Sequence, residues 1–185
     1  EEFVSRCFEA KVYYDAPLEI GYGQTISQPF TLLSMVELLN VEKTDKVLEI
    51  GAGSGYGAAI LGQLASQVYA VEIIPELVKL AQRNLNQAKI DNVKVIEWDG
   101  SQGYDREIPY DKVIVSAACS EIPSALIEQL GEEGIIVAPV GDGRSQIMTR
   151  GVKCNGGLKK SHFGSYAFVP LTGKFGQSKV ENWYI

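Results

Sequence analysis

The sequence predicts a single α/β domain whose core is a doubly wound, mostly parallel sheet with an antiparallel hairpin at its C-terminal end. Three observations support this. Apolar segments typical of buried strands alternate with amphipathic helical patterns as far as residue 141. A glycine-rich turn, residues 51–57, separates the first of these strands from the helix that follows. Beyond residue 141 the helical pattern ends, and two strand-like segments flank a turn at residues 155–157.

The composition is that of an ordinary globular domain and argues against several classes of function. The chain has 185 residues, of which 45% are hydrophobic, and a net charge of −6. An acidic chain without a basic stripe does not suit nucleic acid, because binding phosphates requires clustered Lys and Arg. No apolar run approaches a membrane span, and no signal-peptide pattern opens the sequence. Three well-separated cysteines and one histidine indicate reduced thiols and no metal site, so we expect a cytoplasmic protein.

The individual elements follow from local patterns, taken in chain order. Residues 1–12 resemble the end of a helix, which Pro17 prevents from continuing. Residues 20–29 have the composition of a loop, and Ser27 is placed to cap a helix over residues 29–40. The remaining helices are predicted at residues 58–66, 75–88 and 121–130, the latter closed by residues 131–134. The strands are predicted at residues 47–50, 68–72, 93–98, 110–116, 135–141, 145–150 and 162–171.

The glycine-rich turn predicts a ligand site, and its neighbours indicate which ligand. Glycine has no Cβ, so the backbone can approach a ligand closely, and the following helix presents free N–H groups. Glu49 precedes Gly51 by two positions, where its charge would oppose a pyrophosphate and favour an ammonium or a sulfonium. The dinucleotide pattern also needs a small residue where this chain has Tyr56. S-adenosylmethionine therefore fits better than a nicotinamide dinucleotide, although a glycine turn can also be purely structural.

Acids at the ends of the next two strands support an adenosine-bearing ligand. Glu72 lies 72 − 51 = 21 residues beyond Gly51, where an acid commonly holds the ribose hydroxyls. Asp99 and Gly100 follow the third strand, where they could hold an adenine amino group and admit the base. Each feature alone is also explained by an ordinary turn, so the prediction depends on their succession.

Several further segments make the chain resemble the protein-L-isoaspartate O-methyltransferase family over nearly its whole length. The glycine turn is common to many methyltransferases, whereas the loop at residues 23–27 and the segment at residues 169–172 are much more specific. The segments that match are residues 15–18, 20–21, 23–27, 48–56, 99–100, 109–111 and 170–172.

The resemblance implies a class I, Rossmann-like methyltransferase with an unusual strand order at the C-terminal end of its sheet. It implies methyl transfer from S-adenosyl-L-methionine, leaving S-adenosyl-L-homocysteine, to the α-carboxylate of L-isoaspartyl, and also D-aspartyl, residues in damaged proteins and peptides. It further implies a monomer acting in the cytoplasm. The expected division is residues 1–28 for the N-terminal helix end and active-site loop, 29–141 for the cofactor-binding core and 142–185 for the C-terminal strands.

The resemblance also implies the site residues. Ser27 is the expected active-site hydroxyl, and Phe30 stands where many relatives have a histidine, so no role is carried over to that side chain. The expected cofactor contacts are Gln24, Thr25, Ile26, Ser27, Glu49, Gly51, Ala52, Gly53, Glu72, Ile73, Asp99, Gly100, Thr172 and Gln177.

The residue inventory suits a reaction without a general base. An α-carboxyl group has a pKa of about 3.3–3.7 and is already ionised at neutral pH, so His162 is not needed for catalysis. Ser27 can orient this carboxylate with a hydrogen bond. Three other readings stay open: a methyltransferase for a small molecule, a nicotinamide-dependent dehydrogenase and a binding domain without catalytic activity.

Overall fold

The computed structural model describes residues 3–4 and 10–177, so most of the predicted N-terminal helix end lies outside the described residues. The strands are β1 (Leu18–Gly21), β2 (Gln24–Ile26), β3 (Lys46–Ile50), β4 (Gln67–Glu72), β5 (Val93–Glu97), β6 (Tyr110–Val115), β7 (Leu130–Val140), β8 (Gln146–Cys154) and β9 (Gly157–Tyr166). The helices are α1 (Pro29–Leu39), α2 (Tyr56–Leu64), α3 (Pro75–Gln87) and α4 (Ser124–Gln129). Among these described helices, none is long and apolar enough to cross a membrane.

Seven of the strands form one sheet in the order β5-β4-β3-β6-β7-β8-β9. The first five are parallel, and β8 runs antiparallel to both of its neighbours. This confirms the predicted doubly wound sheet and the C-terminal hairpin. The resemblance implied an unusual strand order at the C-terminal end of the sheet. There, β7, β8 and β9 lie side by side in chain order.

Alternate residues of the central strands build two hydrophobic cores, one on each face of the sheet. Val47 and Val68 pack with α1 and α2, whereas Leu48 and Ile50 pack with α4 on the opposite face. Strand side chains point alternately to the two faces, and burial of both explains the almost continuous apolar runs of the parallel strands.

Several predicted elements differ from the structure. The strand predicted at residues 162–171 is observed as β9 at Gly157–Tyr166, and β8 extends to Cys154, beyond its predicted end at residue 150. The predicted loop at residues 20–29 contains the β1–β2 hairpin, whose turn places Gly21, Tyr22 and Gly23 at φ values of 89°, 55° and 69°. The helix predicted from residue 121 begins at Ser124, because Pro123 is extended, with ψ at 134°, and disfavours helical backbone in the residue before it. Residues 131–134, predicted to close that helix, belong to β7.

The cap of α1 is supplied by Asp15, and the prediction that Ser27 caps this helix is wrong. Gln28 occupies the N-cap position, and its side chain makes no capping bond. Asp15 Oδ1 instead accepts a hydrogen bond from the Phe30 backbone N–H at 2.9 Å, and Asp15 Oδ2 accepts one from Gln28 Nε2 at 2.8 Å. The backbone at the start of α1 is therefore held by a residue that precedes the β1–β2 hairpin.

Replacing Asp15 should destabilise the protein, whereas replacing Ser27 should not. The Asp15→Ala variant loses the cap of α1, which is worth about 0.5–2 kcal/mol in the free energy of unfolding. Ser27→Ala removes no capping bond and serves as the control. Urea denaturation of both variants against the parent chain measures the difference. Equal destabilisation by the two substitutions would contradict the assignment of the cap to Asp15.

Candidate active site

A cleft opens at the carboxyl ends of β3, β4 and β6, where a doubly wound sheet normally binds its ligand. The hairpin β1–β2 and the segment after β9 form its other walls. Twelve of the residues predicted for the site line this cleft, namely Gln24, Thr25, Ile26, Ser27, Glu49, Gly51, Ala52, Gly53, Glu72, Ile73, Gly100 and Thr172. The structure therefore brings together residues that are far apart in the sequence: Gln24 and Thr172 are separated by 172 − 24 = 148 positions.

The glycine turn takes a path that depends on its glycines. Gly51, Gly53 and Gly55 have φ values of 88°, 54° and 86°, in the left-handed region that side chains disfavour. The N–H of Gly51 donates to the carbonyl oxygen of Val71 at 2.9 Å, which ties the turn to the end of β4. A Cβ atom on Gly57 would overlap Oε1 of Glu49, so this glycine makes room for the carboxyl group.

Glu72 braces the glycine turn from the neighbouring strand. Its Oε2 accepts a hydrogen bond from the Gly53 N–H at 2.9 Å. Its Oε1 accepts from the N–H groups of Ile73 at 2.9 Å and Ile74 at 3.1 Å. The side chain is 7% exposed and lines the cleft, so both carboxylate oxygens are fixed by the backbone. Its contact with a ribose stays a prediction.

Glu49 is the opposite case, a buried carboxyl group without such donors. It is 1% exposed, and among the described residues its Oε2 has no hydrogen-bond partner. Burial, with a smaller contribution from the charge of Glu72, raises the pKa of Glu49 to about 8. The carboxyl group therefore holds its proton at neutral pH, whereas the sequence suggested a negative charge at this position.

The raised pKa of Glu49 predicts a pH-dependent stability that Glu49→Gln should remove. The pKa is about 8 in the folded protein against an ordinary value of 4.5, so the folded state binds more protons between these limits. Stability should therefore be highest below the lower limit and fall as pH rises through the upper one. Between about pH 5 and pH 9 the parent chain should lose on the order of 3–5 kcal/mol relative to Glu49→Gln. Denaturation curves across this range measure it, and parallel profiles for the two proteins would contradict it.

Ser27 presents a hydroxyl group to the cleft from the segment between β2 and α1. It is partly buried, and the structure gives its side chain no hydrogen-bond partner among residues 3–4 and 10–177. Because Asp15 caps α1, the Ser27 hydroxyl can donate to a ligand. Phe30, to which the resemblance carried over no role, is 63% exposed.

Asp99 and Gln177 do not line the cleft, although they were predicted among the cofactor contacts. Asp99 Oδ1 accepts from the N–H and hydroxyl of Ser101, and its Oδ2 accepts from Gln102 Nε2 and the Lys174 N–H at 2.8 Å. Burial raises the pKa of Asp99, but these hydrogen bonds outweigh it and hold the pKa below its usual value. Gln177 Nε2 donates to the Gly141 carbonyl oxygen at 3.1 Å. Both side chains attach the C-terminal segment to the domain, and their contact with a cofactor stays a prediction.

The C-terminal segment reaches the cleft by pairing with the backbone that follows β6. The Ala118 N–H donates to the Val169 carbonyl oxygen, and the Leu171 N–H donates to the Ala118 carbonyl oxygen, both at 2.7 Å. This pairing explains how Pro170 and Thr172 come to line a site built mainly from the first half of the chain.

Residues that were not predicted for the site also line the cleft, among them Ile20, Leu32, Ser54 and Ser116. Ser54 lies in the glycine-rich turn and Ile20 in a segment that matches the family, whereas nothing in the sequence pointed to Leu32 or Ser116. His162 lies on β9, where its Nδ1 is 3.2 Å from Thr149 Oγ1. Cys119 is buried, and burial raises the pKa of its thiol to about 12, as expected for a structural cysteine. Neither residue lines the cleft.

The fold and the site together define a class of enzyme. A solved protein-L-isoaspartate O-methyltransferase is 29% identical, with a TM-score of 0.88 over 95% of this chain and 59% of that one. A Plasmodium falciparum protein, assigned to the same activity and crystallised with S-adenosyl-L-homocysteine, is 27% identical with a TM-score of 0.79. The match covers 92% of this chain and 84% of that one. The architecture is that of the S-adenosylmethionine-dependent methyltransferases.

The comparison of sequences identifies the family within this class. The model of the protein-L-isoaspartate(D-aspartate) O-methyltransferase family matches residues 1–176. A protein-L-isoaspartate O-methyltransferase of Methanoculleus marisnigri is 47% identical over 174 residues, which are 94% of this chain and 79% of that protein. The chain therefore belongs to the protein-L-isoaspartate(D-aspartate) O-methyltransferase family.

Proposed function

We propose that this protein transfers a methyl group from S-adenosyl-L-methionine to the free α-carboxylate of L-isoaspartyl, and also D-aspartyl, residues in damaged proteins and peptides. The observation that carries the proposal is one cleft lined both by the glycine turn with Glu72 and by Ser27. Among the described residues, the Ser27 hydroxyl has no hydrogen-bond partner and can serve a ligand. Family membership supports the choice of substrate.

The residues of the cleft fit the cofactor. The left-handed glycines hold the backbone where no Cβ would obstruct a ligand. Among the described residues the buried Oε2 of Glu49 has no hydrogen-bond partner, so a cation of the ligand could pair with it. Residues 51–53 and Glu72 would hold the adenosine half, and Glu49 would face the positively charged half. S-adenosylmethionine, when bound there, supplies an electrophilic methyl group.

The remaining work of the protein is to bind, orient and desolvate the acceptor. An α-carboxylate with a pKa of about 3.3–3.7 is already ionised, so no side chain has to remove a proton. Ser27 would donate a hydrogen bond that fixes the direction of attack. Ile20, Ile26 and Leu32 line the cleft with apolar surface that excludes water from the reacting groups. Among the described residues that line the cleft there is no His, Lys or Arg, which agrees with a reaction that needs no base.

The direct test is methyl transfer to a matched pair of peptides, one with an isoaspartyl and one with an aspartyl residue at the same position. We expect labelled methyl groups to enter the isoaspartyl peptide and not its partner. Equal labelling of both, or of neither, would contradict the proposed substrate. Transfer to small carboxylic acids but not to peptides would favour a small-molecule methyltransferase.

A thermal-shift comparison tests the choice of cofactor separately. S-adenosyl-L-homocysteine should raise the melting temperature and NAD should not, because Tyr56 stands where the dinucleotide pattern needs a small residue. Stabilisation by NAD alone would favour a dehydrogenase. Binding of S-adenosyl-L-homocysteine without any methyl transfer would favour a binding domain.

The proposed setting of the reaction follows from charge and composition. We propose a monomer that acts on proteins in the cytoplasm and binds neither nucleic acid nor membranes. The net charge of −6 supports the exclusion of nucleic acid, since an acidic chain repels phosphates. Sedimentation of the purified protein with and without duplex DNA would measure both the oligomeric state and this exclusion.

A further inference from the structure

The cleft contains two buried carboxyl groups whose surroundings differ sharply. Glu72 receives three hydrogen bonds from backbone N–H groups, at distances of 2.9 to 3.1 Å. Glu49, on the neighbouring strand β3, lies fully buried, and its Oε2 has no partner among the described residues. The two strands are adjacent, and both carboxyl groups line the same cleft. When the surroundings of two acids differ in this way, the two groups are suited to different roles.

The described residues that line the cleft offer Glu49 no compensating positive charge. The residues of β4 and of the turn after it contribute Glu72 to the cleft, and α2 contributes Tyr56. The hairpin side contributes Gln24, Thr25 and Ser27, and β6 is followed by Ser116, all of them uncharged. Among the described residues that line the cleft, no Lys, Arg or His faces Glu49. A negative charge at Glu49 therefore needs a positive charge that arrives with a ligand.

The substrate cofactor and the product cofactor differ by one positive charge. S-adenosylmethionine carries a sulfonium in addition to its ammonium and carboxylate groups, and S-adenosylhomocysteine carries only the last two. The methyl transfer thus removes one positive charge from the bound cofactor. A carboxyl group in a water-poor site responds strongly to such a change, because Coulomb interactions are weakly screened there.

We propose that Glu49 releases its proton to solvent when S-adenosylmethionine binds and keeps it when S-adenosylhomocysteine binds, so that Glu49 determines specificity between substrate and product cofactor. The inference rests on the proposed function. Its balance is simple: the O–H bond of the Glu49 carboxyl group breaks, the proton goes to water or buffer, and the carboxylate remains beside the sulfonium. The discrimination in favour of the substrate cofactor should then increase with pH, up to the point where free Glu49 is itself ionised.

Proton release is measured by calorimetry of cofactor binding in two buffers of different ionisation enthalpy. At about pH 7 we expect close to one proton released per S-adenosylmethionine bound, and close to none with S-adenosylhomocysteine, since the raised pKa keeps free Glu49 mostly protonated. From about pH 6 to pH 8 the affinity for S-adenosylmethionine should rise by up to tenfold per pH unit. The affinity for S-adenosylhomocysteine should stay nearly constant.

Two variants make the test specific. Glu49→Gln should abolish the proton release and flatten the pH dependence, and it should reduce the preference for S-adenosylmethionine over S-adenosylhomocysteine. Glu97→Gln, the same substitution at an exposed carboxylate at the end of β5, should behave like the parent chain. The α-amino groups of the cofactors titrate identically with every variant, so their contribution cancels.

Two results would overturn the inference while leaving the proposed function intact. One is equal proton release with both cofactors, and the other is unchanged release in Glu49→Gln. If S-adenosylmethionine does not bind at any pH, the proposed function fails and the inference fails with it. The calorimetry in two buffers distinguishes these cases, because the shape of the isotherm gives the affinity and the difference in binding enthalpy between the buffers gives the proton release.

Discussion

Replacing Ser27 by alanine is expected to lower kcat for an isoaspartyl peptide by roughly 10- to 1000-fold, by analogy with the loss of one transition-state hydrogen-bond donor. The free energy of unfolding should not change, because Asp15 and not Ser27 caps α1. Both quantities are measured on the same samples, at saturating cofactor and with urea denaturation. The combination of lost turnover and retained stability is the signature of a hydroxyl group that serves the ligand.

Ser27→Thr is the matched control. It retains the hydroxyl donor and adds a methyl group in a tight segment, so the variant should keep the stability of the parent chain and recover only part of its activity. Because the acceptor carboxylate needs no base, the rate of methyl transfer by either variant should show no new pH dependence near neutral pH. A Ser27→Ala protein with normal turnover would remove Ser27 from the site.

Replacing Glu72 by alanine should give the second large effect, on cofactor affinity and on stability together. Hydrogen bonds to a charged group are worth about 1.5–3 kcal/mol each, and the loss of those to the ribose would weaken S-adenosylhomocysteine binding at least tenfold. The same substitution removes the acceptor for the N–H groups of Gly53, Ile73 and Ile74, so the glycine turn should loosen. Calorimetry and urea denaturation measure the two effects.

Glu72→Gln separates the two roles of this side chain. The amide keeps one acceptor oxygen for the backbone but lacks the charge, so stability should recover more than affinity does. Unchanged affinity for S-adenosylhomocysteine in Glu72→Ala would show that this residue only braces the turn. The structure already shows that bracing role, which the sequence alone did not reveal.

The parts of this molecule that could be predicted from sequence are those encoded by local patterns. Each β–α unit has its own apolar period, so the strands β3 to β6 were placed within one or two residues of their observed bounds. Parallel strands align their carboxyl ends, and therefore the acids and glycines after β3, β4 and β5 were expected at one edge of the sheet. Half of the fourteen predicted cofactor residues, those between Glu49 and Gly100 that line the cleft, do so for this reason.

The parts that could not be predicted depend on contacts between distant segments. The strands β1 and β2 are too short to show a period, and only their pairing reveals them. The capping of α1 by Asp15 spans the whole hairpin, so the nearer Ser27 was mistaken for the cap. The hydrogen bonds of Asp99 and Gln177 to the C-terminal segment likewise join residues whose proximity no spacing indicates.

Burial is the other property that the sequence did not provide. A glutamate before a glycine turn suggests a negative charge, but burial without donors changes its protonation state. Glu49 and Glu72 look equivalent in the sequence, and their hydrogen-bond partners make them different.

The most direct test of the account is methyl transfer from S-adenosylmethionine to three versions of one peptide. The first carries an isoaspartyl residue with a free α-carboxylate, the second carries the isoaspartyl linkage with an α-carboxamide, and the third carries ordinary aspartate. The account predicts an ester on the first peptide only, located at the α-carboxyl group by mass spectrometry, and its strong reduction in Ser27→Ala. Methylation of the carboxamide or aspartyl peptide at a comparable rate would contradict it.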